Sequence, residues 1–398
     1  MKFYLLPLLL LLCITQSFAN KETEIIIKNT PKERKRPPYH KNGKPNYYNY
    51  TLDISSIKDV SLDIERILRQ ISSHTCLIFK KKDTEIKDDI GINFKKSLDK
   101  NEVILSESTS QPTTVTLTEE VYKSKTNLSF FIGVAFGIIT EIQRPDSDQY
   151  VTVDNKNLNT TCYNEYYEQV NPADVPYIED TDFDFKSPML INPNFFSNNS
   201  EPTYTIKGEL YEDYQNLYGF IRPFRFNDYK HIYNYHCDRP KEHTNCQNGG
   251  FKPNDSFKDK CYCPKYFTGN QCQDLYSNHP SCTKKEQYHK AQSGENSLLL
   301  EYVKGPCYYS ITSENEGNVS VIIENLKFGK DDCSNGNFVE VLFQKDKGAA
   351  GLILCRDRRE IKFTSQSKNV IIVLYGAGNT ISLTVKYQEI SEIRSETV

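Results

Sequence analysis

The sequence predicts a multidomain protein: an α+β domain first, a small disulfide-stapled module second and an all-β sandwich last. Three observations predict this order. The chain has 398 residues, a length suited to two or three domains of roughly 100 to 200 residues. Its apolar share of 37% lies below the roughly 45 to 50% usual for globular chains, as expected of several small, surface-rich modules. The residue pattern also changes along the chain, from helical periodicity through a cysteine-dense stretch over residues 238–282 to strand-like alternation after Cys282.

Taken in order, residues 1–19 carry a basic start at Lys2, the apolar run Leu5 to Leu12 and small residues ending at Ala19, the pattern of a secretory signal peptide. The apolar run is about half of the roughly 20 residues a membrane-spanning helix needs, and the next longest, Phe130 to Ile139, is also too short. The expected compartment is therefore extracellular, with no transmembrane segment. Six Asn-X-Ser/Thr sequons fit that compartment: Asn49, Asn127, Asn159, Asn198, Asn254 and Asn318. Removing Cys13 with the signal leaves eleven cysteines, which predicts five disulfides and one thiol left over. The net charge of −3 is spread over 49 basic and 52 acidic residues without a basic block, which excludes nucleic acid as a partner.

Residues 20–36 read as a short polar leader or propeptide remnant, and the triplet Arg34-Lys35-Arg36 reads equally as a processing site or a solvated charge run. A first domain is placed over residues 37–237. Within it Val60, Ile64, Ile67, Leu68 and Ile71 recur at three and four, predicting an amphipathic helix over 56–72, and Cys76 to Phe79 reads as a buried strand. Residues 127–142 are apolar nearly all round, which predicts a helix in the middle of a core. Residues 238–273 are too few to bury a core and must be stapled. Residues 282–390 carry the apolar stretches Val319–Ile323, Phe338–Phe343 and Val370–Leu374 and the strict alternation Ile381, Leu383, Val385, Tyr387, which together predict a β-sandwich.

The run Phe130-Phe-Ile-Gly-Val-Ala-Phe-Gly-Ile-Ile-Thr-Glu-Ile-Gln-Arg-Pro-Asp-Ser-Asp-Gln-Tyr150 resembles the active-site helix of the astacin zinc endopeptidases, His-Glu-x-x-His-x-x-Gly-x-x-His-Glu with x-x-Arg-x-Asp-Arg-Asp-x-Tyr after it. Gly137, Glu141, Arg144, Asp146, Asp148 and Tyr150 match. The three zinc-ligand positions fall instead on Phe130, Val134 and Thr140, and the general-base position on Phe131. In the family motif, two histidines four apart share a helix face, a glycine turns the chain and a third histidine closes the site, while the glutamate takes a proton from zinc-bound water. Phenylalanine and valine offer no lone pair, and a neutral hydroxyl is a poor substitute for imidazole. None of the seven histidines lies between residues 75 and 230.

Phe183 to Ile191 resembles the family's Met-turn, Tyr-Asp-Tyr-x-Ser-x-Met-His-Tyr, and places Met189 beneath the metal position; Ile191 stands where the family has a metal-associated tyrosine. Thr75 to Phe79 and the segment from Phe226-Asn-Asp228 to Cys237 resemble further family segments and imply a Cys76–Cys237 disulfide. The family's substrate-pairing edge strand is unrecognisable around Ser106 to Thr114. Downstream, Cys246, Cys261, Cys263 and Cys272 resemble an EGF-like module and imply Cys246–Cys261 and Cys263–Cys272, while Cys282, Cys307, Cys333 and Cys355 resemble a CUB domain and imply Cys282–Cys307 and Cys333–Cys355. Cys162 is then the unpaired cysteine. A zinc site drawn from His236, Cys237, His243, Cys246, Cys261 and Cys263 is set aside because there is no Cys-x-x-Cys knuckle.

The resemblance implies a secreted glycoprotein of nematode astacin type whose metal site is degenerate. The expected role is an extracellular pseudoprotease that binds matrix or other extracellular proteins through its EGF-like and CUB modules, with no cofactor. The alternative is an active zinc endopeptidase with ligands imported from His74 or from beyond residue 230. The apolar replacements are expected either to fill the old site or to form an exposed patch.

Overall fold

The structure, a computed structural model, describes residues 24–27, 47–54, 59–158, 166–190, 192–194, 197–208, 214, 223–237, 245–253, 257, 260–329, 336–363, 366–377 and 379–390. Its contacts divide the chain into two units, one of residues 1–179, 187–206 and 221–239, the other of residues 180–186, 207–220 and 240–398.

The first unit is built on a six-stranded sheet. Its strands are β1 (Glu24–Ile27), β2 (Tyr47–Asp53), β3 (Ile78–Lys81), β4 (Gly91–Ser97), β5 (Lys100–Ile104) and β6 (Thr113–Thr118), in the order β1-β5-β6-β4-β2-β3. All neighbours run parallel except β5 and β6. Helix α1 (Val60–His74) buries Val60, Ile64, Leu68 and Ile71, the face its periodicity predicts. β3 is not buried as expected: Ile78, Lys80 and Lys81 are exposed, because β2 takes the inner place and leaves β3 at the sheet edge.

The short helix α2 (Glu119–Lys123) leads into α3 (Lys125–Ala135), whose residues from Leu128 to Ala135 are all buried. α3 stops before Ile142, where periodicity placed its end. Gly137 adopts φ 74, a left-handed conformation that glycine takes without the clash a Cβ brings, and the helix terminates there. The antiparallel pair of β7 (Val151–Val153) and β8 (Tyr204–Ile206) and the helix α4 (Phe226–His236) complete the unit. A disulfide joins Cys76, just after α1, to Cys237, just after α4.

In the second unit, β9 (Phe267–Thr268) and β10 (Asp274–Leu275) form a small antiparallel pair beside the Cys246–Cys261 and Cys263–Cys272 disulfides. Two sheets follow. The first contains β11 (Tyr288–Ala291), β13 (Cys307–Ser313), β15 (Phe338–Leu342), β16 (Leu352–Leu354) and β18 (Asn369–Tyr375), in the order β11-β13-β18-β15-β16. The second contains β12 (Asn296–Val303), β14 (Asn318–Phe328), β17 (Arg358–Phe363) and β19 (Ile381–Ile390), in the order β12-β19-β14-β17. In β19 the expected alternation appears as Ile381, Leu383, Val385 and Tyr387 buried. β18 is instead buried from Val370 to Leu374 without a break. One face lies in the sandwich, while Ile371 and Val373 on the other meet Tyr266, Phe267 and Leu275 of the disulfide-rich stretch. Cys282 is bonded to Cys307; Cys355 is disulfide-bonded, and Cys333 lies outside the described residues.

Candidate functional site

α3 carries Phe130 and Val134, two of the three positions where the resemblance expects metal ligands, and Phe131 at the expected general-base position. Ser124 caps it, accepting a hydrogen bond from the Asn127 amide at 3.3 Å, and no charged residue follows Lys125 before the helix ends. Phe130 is 4% exposed, Phe131 fully buried and Val134 6% exposed, so these side chains are packed in the interior and form no exposed patch. The rings of Phe130 and Phe131 meet edge to face at 5.2 Å.

After the turn at Gly137, the chain reaches Thr140, which caps a 3₁₀ turn over Glu141–Gln143. The Gln143 amide donates to Thr140 Oγ1 at 3.1 Å, and the Gln143 side-chain oxygen accepts from the Thr140 amide at 3.3 Å. The Thr140 hydroxyl donates its proton to the carbonyl of Tyr166 at 2.8 Å. The Tyr166 ring also lies 6.2 Å from that of Phe130. Tyr166 therefore links Phe130 and Thr140, the first and third expected ligand positions, an arrangement that no motif in the sequence signals.

Met189 sits directly under α3: a Cβ added at Gly133 would stand 2.4 Å from its Sδ. Its carbonyl accepts from the Glu141 amide at 3.0 Å and its amide donates to Ser187 Oγ at 2.9 Å. The Ser187 hydroxyl in turn donates to Asp228 Oδ1 at 2.6 Å, and Asp228 Oδ2 accepts from the Arg225 amide at 2.7 Å. The first turn of α4 thus holds the Met-turn. Both residues belong to recognisable motifs, but nothing in the sequence pairs them. Ile191 lies outside the described residues.

Three of the matching downstream residues, the buried Glu141 and Arg144 and the half-buried Asp146, form an ion network. Arg144 makes a forked pair with Asp146 at 2.9 and 3.0 Å and lies 3.7 Å from Glu141, with both Arg144 and Glu141 3% exposed. His231 is buried beside it, and burial, then the charges of Arg144 and Lys230, push its pKa well below the usual histidine value. Of the other histidines expected as imported ligands, His74 and His236 are engaged locally, and His243 lies outside the described residues. His74 stacks on Tyr229 at 4.4 Å and His236 Nε2 lies 2.7 Å from the Phe136 carbonyl.

Two hydrocarbon side chains and a hydroxyl already engaged in hydrogen bonds do not fit a zinc ion. Among the described residues, no three His, Cys, Asp or Glu side chains converge as a metal-holding group elsewhere. Of the sequons, Asn198 is exposed, Asn49, Asn127 and Asn318 are half-buried, and Asn159 and Asn254 lie outside the described residues, as does Cys162.

Residues 40–237 match the model of the Astacin peptidase family. They are an astacin-family domain. Over 261 residues the chain is 24% identical to zinc metalloproteinase nas-34 of Caenorhabditis elegans, a match covering 65% of this chain and 41% of that protein. The chain thus spans about two fifths of that relative's length. Among solved structures, high choriolytic enzyme 1, a hatching enzyme zinc-protease of Oryzias latipes, overlays at a TM-score of 0.38 with 16% identity, covering 48% of this chain and 90% of that one. The MASP-1 CUB2 domain overlays at 0.21 with 13% identity, covering 25% and 96%. The astacin domain, the disulfide-rich stretch and the β-rich C-terminal region make up the expected multidomain array. No helix among the described residues is long and apolar enough to cross a membrane.

Proposed function

We propose that this astacin homologue is a secreted glycoprotein that does not hydrolyse peptide bonds and acts by binding extracellular proteins. The observation that carries this reading is the fate of the ligand positions. Phe130 and Val134 bring hydrocarbon to the face where the family presents imidazole, and the Thr140 hydroxyl is committed to Tyr166 and Gln143. The general-base position holds Phe131, which can neither accept nor deliver a proton. The Met-turn, the Arg144 network and the Cys76–Cys237 disulfide support a folded scaffold that has exchanged its reactive groups for packing. The EGF-like and CUB-like regions supply the binding surfaces, and residues 37–237, 238–273 and 282–390 are the module limits. Purified glycosylated protein incubated with gelatin or casein tests this: no cleavage is expected with or without added zinc, and chelator-sensitive cleavage overturns it.

A further inference from the structure

The strand β11 is short but fastened at both ends. It has four residues and lies at the edge of its sheet, paired in parallel with β13 alone. Upstream, the Cys282–Cys307 disulfide ties its approach to the start of β13. Downstream, the buried Ala291 accepts from the Glu314 amide at 3.0 Å, and the Gln292 carbonyl accepts from the Glu389 amide at 2.7 Å. Between these anchors the segment also holds the exit of the disulfide-rich stretch. The Leu275 amide donates to the Tyr288 hydroxyl at 3.1 Å, and Gln287 Nε2 donates to the Tyr276 carbonyl at 2.7 Å.

His289 sits between the anchors. Its Nε2 is buried and has no hydrogen-bond partner among the described residues. The ring is held by a hydrogen bond with the Glu286 main chain, which leaves Nε2 as the bare lone-pair nitrogen of a neutral imidazole. The rings of Tyr309 on β13 and Tyr387 on β19 lie 6.3 and 6.2 Å away, tilted by 35° and 56°. Cation–π attraction works within about 6 Å with the charge over a ring face, which neither tyrosine supplies. The Tyr309 hydroxyl is already 3.2 Å from Thr283 Oγ1. On β11 itself the one other charged side chain is the exposed Lys290. Burial is the largest influence on the ring and lowers its pKa; the Glu286 hydrogen bond and charge oppose this, and the Lys285 charge reinforces it.

We propose that β11 is an acid-released strap: a proton taken up at His289 Nε2 frees residues 283–290 from the edge of β13, and with them the exit of the disulfide-rich stretch at Leu275 and Tyr276. A neutral ring tolerates a dry Nε2, but an imidazolium there is a buried charge and donor without an acceptor. Lifting the strap returns it to water. The sign follows from burial: the native ring binds a proton less readily than the released one, so acid favours release. The effect starts near the ordinary histidine value of about 6.5 and gains at most about tenfold per pH unit until the native ring itself titrates. With both ends fastened, the opening is local and reverses on neutralisation. The inference goes beyond the proposed function and holds whether or not the chain hydrolyses peptides.

The test is amide hydrogen exchange of the full glycosylated chain between pH 7.5 and 5, with the chemical exchange rate at each pH divided out. The Ser310 amide, which donates to the Gln287 carbonyl at 2.9 Å, and the Leu275 amide report on the strap. Both should lose protection about fivefold or more between about pH 6.5 and 5, while the Glu314 amide and the strands β14 and β19 stay protected. His289→Phe and His289→Gln remove the titrating nitrogen, and in both the protection should no longer change with pH. His279→Gln, at a second histidine of the same region, should behave as the native chain. Protection that is independent of pH in the native chain, a pH dependence that survives in both His289 variants, or loss that spreads at the same pH into β14 and β19 would each overturn the proposal.

Discussion

The Tyr166 carbonyl accepts the hydroxyl proton of Thr140 at 2.8 Å, while the Tyr166 ring lies 6.2 Å from that of Phe130. One residue thereby bridges two of the expected ligand positions, by main chain at one and by side chain at the other. Thr140 is 2% exposed, so both hydrogen bonds of its hydroxyl are made away from water.

Thr140→Val keeps the volume and removes the hydroxyl, leaving the Tyr166 carbonyl and the Gln143 amide buried without that partner. A loss of about 1–3 kcal/mol is expected. Thr140→Ser retains both bonds and should lose less. Denaturant unfolding of the intact protein checks the pair; equal losses for the two variants would contradict the assigned hydrogen bonds.

The Met-turn makes a separate prediction. Ser187→Ala removes the bond to Asp228, a charge-assisted contact in a dry site, and should cost about 1.5–3 kcal/mol. In a double-mutant cycle with Asp228→Asn the two losses should be strongly non-additive, whereas simple addition would mean that the residues act independently.

Gly133→Ala drives a methyl group into Met189 and should destabilise by about 1–3 kcal/mol. Shortening the obstacle with Met189→Ala in the same chain should recover part of that loss. No recovery in thermal unfolding would place the strain elsewhere.

The second unit responds to pH through Lys347, which is 3% exposed and donates to the Gln344 carbonyl, Ser367 Oγ and the Asn369 carbonyl. Burial lowers its pKa to about 7, opposed by Asp182 and Asp346. Between that value and the ordinary lysine value of about 10.4, the unfolded chain binds the proton and the native chain releases it. Stability should therefore rise with pH from about 7 upward, by at most about 1.4 kcal/mol per pH unit. Lys347→Met should flatten that rise. The check is denaturant unfolding from pH 6 to 9 under non-reducing conditions, with persistence of the slope in the variant counting against Lys347.

Much of this architecture is legible in the residues because apolar spacing reports directly on burial, as in α1 and β19. The end of α3 is less so: Ile138, Ile139 and Ile142 continue the apolar pattern, but the left-handed Gly137 stops the helix, and burial continues in a turn. The strand over 78–81 looks interior by composition and is an edge because of where β2 enters, a tertiary matter. At the site, the ligand positions are readable from the motif remnants. Tyr166 is not, since it lies 26 residues beyond Thr140 and contributes its carbonyl, which every residue has.

Restoring the site tests how much scaffold remains. A chain carrying Phe130→His, Phe131→Glu, Val134→His and Thr140→His should unfold more readily without metal, since polar groups replace packed ones, and should regain stability as zinc is added. Absence of a zinc-dependent rise in Tm would mean that α3 and the Gly137 turn no longer present the four positions together.

In the proposed reading, the buried Phe130 and Val134 close the expected metal position to zinc. Equilibrium dialysis of the unaltered, purified protein against Zn(II), followed by elemental analysis, tests it most directly. No zinc is expected to be retained at the site, and no change in retained metal is expected between the native chain and a Phe130→Leu variant. About one zinc per chain, removable by chelator and accompanied by loss of peptide cleavage, would contradict it.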